Sequence, residues 1–382
     1  MKSIAITHRG CERFCAEEIK EIIPGAKNLK QEETAVIFEA DAEDVLKFCY
    51  MSQSAIHIFE LLSSFSFKTE EDIEKEVKKA KIPDYKFGDF NVGCIRIGEH
   101  DFSSQEIKED VSAAIIELTD KRVNLNNAQI NFFAYVYNNK CYFGVDLCGF
   151  DLSKRQYRIF THRDAIKATV AYCMIRASGY TGKETLLDPF CGGGTFAAEA
   201  ALYASKFSVN YYNKDKFAFR KLNLLGDYGK EHGSYRDCTE FFAAIDKYAD
   251  KDKKLKIISY DSQFGYVSSA QKNAKIAGIN KLIDFGKVEI KWLDTKYEKE
   301  AIDIIVSYPP FAKKDNQKVI EKVYKEFFYQ AEFILSKKGR IVLASQSPDL
   351  LKKYAKEYKF KLLDEFSVWQ GRMELVVLVF GK

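Results

Sequence analysis

LLDPFCGGGTFAAEAAL, residues 186–202, decides the fold of this 382-residue chain. An apolar, strand-forming run ends in Asp188. Three glycines follow in succession, and Thr195 opens an alanine-rich helical run. A glycine-rich turn from strand to helix lets a ligand approach the backbone and offers it the amides of a helix N-terminus. No Gly-Lys-Ser/Thr follows, so this is not a phosphate-binding P-loop, and the spacing is not the G-x-G-x-x-G of a dinucleotide binder. The acidic residue stands before the glycines, at the strand end. A carboxylate there suits a ligand with a positive or hydrogen-bond-donating group.

Outward from this turn, strands and helices alternate in long units. Residues 184–188 (ETLLD), 256–261 (KIISYD), 287–294 (KVEIKWLD), 301–308 (AIDIIVSY), 339–345 (GRIVLAS) and 368–380 (VWQGRMELVVLVF) read as strands. Helical periodicity fills 195–205, 264–278 and 316–335. This order predicts an open, mostly parallel α/β sheet. Such sheets bind ligands at the carboxyl ends of their strands. Asp188, Asp261 and Asp294 stand at three successive predicted strand tips. Asp261, followed by Ser262, is placed to take ribose hydroxyls, and Asp294 to accept a hydrogen bond from an adenine amino group. S-adenosylmethionine, with an ammonium and a sulfonium, fits the carboxylate at Asp188.

The N-terminal part has a different grain. Residues 1–65 alternate short strands and helices in a β-α-β-α-β order that suggests a small ferredoxin-like unit. Residues 66–155 form a second small unit. It has a capped amphipathic helix from Thr69, a strand at 90–98, a helix at 103–119 and a hairpin turning at Asn138-Asn139. The remainder, 156–382, holds the α/β sheet, entered through a linker helix at 161–180.

Composition narrows the class. The chain is 46% hydrophobic and 30% charged, which suits a soluble globular protein. No apolar run reaches membrane-span length, and the N-terminus breaks into charge too early for a signal peptide. Nine cysteines without a C-x-x-C pair, and five scattered histidines, predict free thiols in a reducing cytoplasm and no metal site. Residues 1–160 carry 21 Lys+Arg against 27 Asp+Glu, and residues 161–382 carry 38 against 28. The basic half suits a polyanion. If the acidic third also meets nucleic acid, its few basic residues should gather on one face.

Near the C-terminus, DIIVSYPPFAKK (residues 303–314) holds Pro309 and Pro310, two of only six prolines. Adjacent prolines fix φ twice and remove two amide donors, so the loop after this strand is stiff and presents carbonyls. The string D-P-F-C-G-G-G-T, a strand-tip acid and then x-x-P-P-F together resemble the class I S-adenosylmethionine-dependent amino-methyltransferases. The linker FDLSKRQYRIFTHRDAIKATVA (150–171) and the segment KDKFAFRKLNLLGD (214–227) are similar to the THUMP-containing RNA guanine-N2 methyltransferases. The resemblance spans essentially the whole chain.

It implies a Rossmann-like methyltransferase domain preceded by ferredoxin-like and THUMP domains, acting as a monomer on RNA: tRNA, or alternatively rRNA. It implies cofactor contacts at Asp188, Pro189, Phe190, Cys191, Gly192, Gly194, Thr195, Asp261, Ser262 and Asp294. Catalysis falls to Ser307, Tyr308, Pro309, Pro310 and Phe311, with Phe311 stacking on the base. Lys154, Arg155, Arg158 and Arg163 are placed to grip phosphates between the domains. Tyr308 departs from the family's Asn/Asp. Either Tyr308 or Ser307 takes over the acceptor role, or the chain binds RNA without turnover. The rings of Phe217 and Phe219 are expected to pack on the core, and Cys191 to pack rather than act as a nucleophile.

Overall fold

The computed structural model describes all residues except 84, 163, 164, 223, 226–236, 313 and 314. Its N-terminal part runs β1 (Lys2–Ile6), α1 (Glu12–Ile22), β2 (Lys27–Glu32), β3 (Ala35–Glu39), α2 (Ala42–Met51) and β4 (His57–Ser66). It continues with α3 (Glu70–Val77), β5 (Asp89–Ile97), α4 (Ser104–Thr119), β6 (Arg122–Val123), β7 (Ile130–Tyr137) and β8 (Lys140–Asp146). The two expected small units share one sheet, ordered β2-β3-β1-β4-β8-β7-β5-β6. Strand β4 joins them. Its first residues pair with β1, and the pairing with β8 runs from Phe59 to Ser66. The edge strand β2 escaped the sequence reading because KNLKQE is polar throughout and exposes both faces.

The second sheet is built from β9 (Leu186–Asp188), β10 (Ile257–Asp261), β11 (Ile283–Lys287), β12 (Ile302–Ser307), β13 (Leu335–Ser345), β14 (Lys361–Gln370) and β15 (Met373–Gly381). Its order is β11-β10-β9-β12-β13-β15-β14, parallel from β11 to β13, with β15 and β14 antiparallel. The expected open parallel sheet is present. Helices α5 (Ala168–Ala177), α6 (Thr195–Ser205) and Phe264–Ala277 pack one face, and Gln317–Ile334 and Pro348–Glu357 the other.

Two strand assignments are corrected. Residues 287–294 do not form the third strand. That strand ends at Lys287, and the chain turns through a 3-10 segment, Ile290–Trp292, into the short helix Leu293–Lys296. The true strand, IDFGK, holds only two apolar side chains and buries only its first residue, so its apolar signal is weak. Residues 368–380 are two strands, because Gln370 pairs with Met373 and Gly371 takes φ 69° in the turn.

The segment after α6 docks on the other sheet. Phe217, Phe219, Phe241 and Phe242 are buried in the core of the N-terminal part. Phe219 donates its amide to the Leu147 carbonyl at 3.0 Å, and the Tyr50 ring lies 4.8 Å from Phe242. The two rings named from the sequence do pack, but against the N-terminal sheet. Of the segment likened to the family's insert, residues 223, 226 and 227 lie outside the described residues.

Candidate functional site

The carboxyl edge of the second sheet brings β9, β10 and β12 side by side. Asp188 ends the central strand and is fully buried. Its Oδ1 accepts the Ser307 hydroxyl at 2.5 Å and the Phe190 amide at 3.3 Å. Its Oδ2 is buried with no hydrogen-bond partner. Burial pushes the carboxyl up to about 7; the Ser307 and Phe190 hydrogen bonds oppose this, and nearby Asp261 adds to it. A buried, unpaired carboxylate oxygen is costly unless a donor meets it.

The glycine loop wraps this carboxylate. Cys191 donates its amide to the Tyr260 carbonyl at 2.8 Å, and Gly194 to the Cys191 carbonyl at 2.8 Å. Gly192 (φ 49°) and Gly194 (φ 75°) adopt left-handed conformations, which glycine takes without a Cβ penalty. Pro189 and Thr195 are buried, and Phe190 packs 5.9 Å from Phe327. Asp261, at the tip of β10, accepts the Gly192 amide at 3.1 Å and the Gln263 amide at 3.0 Å. Burial raises its pKa, while those amides and nearby His162 oppose the shift. Ser262 beside it is exposed.

Across from the loop, β12 runs into the Pro-Pro turn. Ser307 is fully buried and donates its hydroxyl to Asp188, which fixes its proton on the carboxylate. The half-buried Tyr308 ring lies parallel to Phe311, centroids 6.4 Å apart and planes 24° apart. Tyr324 donates its hydroxyl to the Pro310 carbonyl at 2.8 Å and so holds the turn. Pro309 is buried and Pro310 exposed. The stiff loop expected from the two prolines therefore sits one hydrogen bond from the glycine loop, through Ser307 and Asp188.

Residues 155–374 match the family model of the RMKL-like methyltransferase domain. The chain belongs to that methyltransferase family. Residues 67–146 match the THUMP domain and residues 2–59 the RlmL ferredoxin-like domain. The tRNA (guanine(6)-N2)-methyltransferase of Methanocaldococcus jannaschii is 25% identical over 95% of each chain. The ribosomal RNA large subunit methyltransferase K/L of Vibrio parahaemolyticus is 24% identical over 81% of this chain but only 44% of its own length. Two solved structures share the whole fold. SMU.472 complexed with SAH has a TM-score of 0.79 at 20% identity, covering 100% of this chain and 98% of that one. TrmN from Thermus thermophilus has 0.71 at 21%, covering 100% and 99%.

The cofactor of this methyltransferase is S-adenosyl-L-methionine. The orphaned Asp188 oxygen and the close-packed glycine loop fit a ligand that carries a donating ammonium. Among the described residues, no group of His, Cys, Asp or Glu could hold a metal ion, and no helix is long and apolar enough to cross a membrane.

Several predicted site residues lie elsewhere. Asp294 is not at a strand tip. It lies in the short helix Leu293–Lys296, gives its amide to Gln330 at 2.8 Å, and lines a cavity with Lys299, Glu300 and Lys382. Lys299 and Glu300 precede β12 and Lys382 follows β15, so that cavity belongs to the opposite edge of the sheet. Arg155 cannot reach a phosphate. It is buried and ion-paired with Glu199 at 3.0 Å, the side chains 1% and 0% exposed. Arg158 turns its guanidinium back onto the Ile166 carbonyl at 2.7 Å. Arg163 lies outside the described residues. Of the three described, Lys154 alone is open, 83% exposed. Cys191 packs as expected, buried and with its thiol pushed far up by that burial.

The sequence reading missed two residues at the loop, His162 and Asn273. A polar side chain on the buried face of helix Phe264–Ala277, beside Ala270, Ala274 and Ala277, was the available signal for Asn273. On the N-terminal part, a groove beside α3 mixes both signs of charge, with Asp72 and Glu76 among its lysines. Lys68, Lys75, Lys78 and Lys79 line this groove of about 570 Å³. Lys78 and Lys79 are paired there with Glu74, Glu117 and Glu76.

Proposed function

We propose that this chain transfers a methyl group from S-adenosylmethionine to the exocyclic N2 of a guanosine in tRNA, acting as a cytoplasmic monomer. The observation that carries the reading is the Ser307–Asp188 hydrogen bond. It ties the glycine loop to the Pro-Pro turn, so donor and acceptor pockets are built on one rigid edge. The resemblance over nearly the full length of both chains to a relative named for tRNA guanine-N2 supports tRNA over rRNA.

When bound here, S-adenosylmethionine would supply an electrophilic methyl group, its thioether leaving with the carbon–sulfur electron pair and the amine releasing one proton to solvent. Asp188 would hold the cofactor's positive end, and Asp261 its ribose. The glycine loop lets both approach the backbone. With the Pro310 carbonyl held by Tyr324, the Pro309 carbonyl and the Tyr308 hydroxyl are assigned to the N–H groups of the target amine. Phe311 stacks on the base, worth about 1–3 kcal/mol for such a contact. An aromatic amine is a poor nucleophile because its lone pair is delocalised into the ring. Holding it in line with the methyl therefore supplies much of the rate. Lysines of the THUMP segment and Lys154 meet the RNA backbone.

The test is transfer of radiolabel from S-adenosylmethionine to unmodified tRNA, rRNA and DNA. Label in tRNA, recovered as N2-methylguanosine, lost in Asp188→Ala and lost in Tyr308→Ala with cofactor affinity kept, is the expected result. Cofactor binding without label in any nucleic acid would overturn it.

A further inference from the structure

Each glycine of the loop is crowded by a different neighbour. A Cβ on Gly194 would come within 2.7 Å of Ala270, in the helix Phe264–Ala277. Gly192 and Gly193 are crowded by something else. A Cβ on Gly192 would come within 2.5 Å of His162 Nε2, and one on Gly193 within 3.0 Å of the Phe160 carbonyl oxygen. Two of the three glycines therefore make room for the interdomain linker.

One side chain holds that linker down. Asn273 is 2% exposed. Its Oδ1 accepts the Phe160 amide at 3.0 Å. Its Nδ2 donates to the Phe160 carbonyl at 2.9 Å and to the Gly193 carbonyl at 2.9 Å. A carboxamide offers one acceptor oxygen and two N–H donors, and both ends are engaged here. No other side chain of that size accepts one main-chain amide and donates to two carbonyls. Two residues further along the linker, the His162 ring lies over Gly192, backed by Tyr266 at 5.3 Å and close enough to Asp261 to act on its charge. Gly192 in turn donates its amide to Asp261.

We propose that Asn273 is a positioning residue for the methyl donor. It fastens the linker onto the glycine loop, so that the linker, through His162, forms one wall of the cofactor pocket. The inference rests on the reading of this edge as the cofactor site. It makes the donor pocket a product of two parts of the chain: the sheet edge and the segment that arrives from the RNA-binding part. Without the carboxamide, the Phe160 and Gly193 carbonyls lose their donors and the loop loses its fixed partner.

The experiment uses the full chain. Calorimetric binding of S-adenosylmethionine and thermal melting are measured for wild type, Asn273→Ala and Gly193→Ala. Gln330→Ala is the control. Gln330 is also a buried carboxamide bridging main-chain groups, the Asp294 amide at 2.8 Å and the Lys291 carbonyl at 3.2 Å, but at the far edge. Both loop variants should bind the cofactor about tenfold more weakly or worse. Gln330→Ala should melt lower and bind as wild type. A folded Asn273→Ala that binds as tightly as wild type would overturn the proposal, as would equal weakening in Gln330→Ala. A wild type that does not bind the cofactor would instead sink the cofactor-site reading itself.

Discussion

Asp188 is where the chemistry of a single residue is sharpest. One carboxylate oxygen is engaged, the other is buried and unpaired, and burial lifts the group to about 7. A carboxyl raised above its unfolded value adds stability at low pH that is lost as pH rises through about 7. Cofactor binding runs the other way, because the ionised form attracts the ammonium. Affinity for S-adenosylmethionine should therefore strengthen between about pH 6 and about pH 8. Calorimetry across that range should show the slope in wild type and its disappearance in Asp188→Asn. A slope that persists in the variant would assign the titration to another group. Asp188 was legible from the sequence because it stands next to the glycines whose turn it serves. Asp294 misled because alternating apolar residues imitated a strand where the chain makes a 3-10 turn.

Among the elements of the catalytic domain, two positive-φ glycines separate conformation from crowding. Gly371, in the β14–β15 hairpin, has φ 69°, and a Cβ added there would meet no atom within 4 Å. Gly194 has φ 75° and would press a Cβ against Ala270. Gly371→Ala should cost only the left-handed strain, about 1–2 kcal/mol, with cofactor affinity intact. Gly194→Ala should cost more and abolish binding, since the helix start must move. Chemical denaturation paired with calorimetry separates the two, and equal losses of affinity would contradict the assignment. The helix starts and the hairpin at Asn138-Asn139 were readable because caps, glycines and periodicity are local signals. Strand β2 was not, because nothing apolar marks it.

Across the molecule, a buried polar cluster locks the two parts together. Glu199 of α6 meets Arg155, the Tyr157 hydroxyl at 2.7 Å and the Gln53 side-chain amide at 2.7 Å. Glu18 of α1, also buried, takes the Ser52 hydroxyl and the Gln53 main-chain amide, each at 2.8 Å. Removing one partner of a buried ion pair leaves a charge uncompensated. Arg155→Ala should lose about 3–5 kcal/mol, and replacing Arg155 and Glu199 together by apolar residues should recover much of it. A denaturation midpoint unchanged in Arg155→Ala would mean that the pair is not buried in solution. Phe217 and Phe242, buried in the N-terminal core, add an apolar contact between the same two parts.

The open parallel sheet, the glycine turn with its acid, the stiff proline loop and the order of the parts were all legible in the linear chain. Each of these is written in contiguous residues, through periodicity, φ restriction or charge at a strand end. It took the folded chain to make Arg155 a strut and not a phosphate clamp, to turn Ser307 onto Asp188, and to let Asn273 bind the linker to the loop. Their partners lie 44, 119 and 113 residues away. A polar side chain's role depends on what folding places within hydrogen-bond reach, and no local pattern encodes that distance.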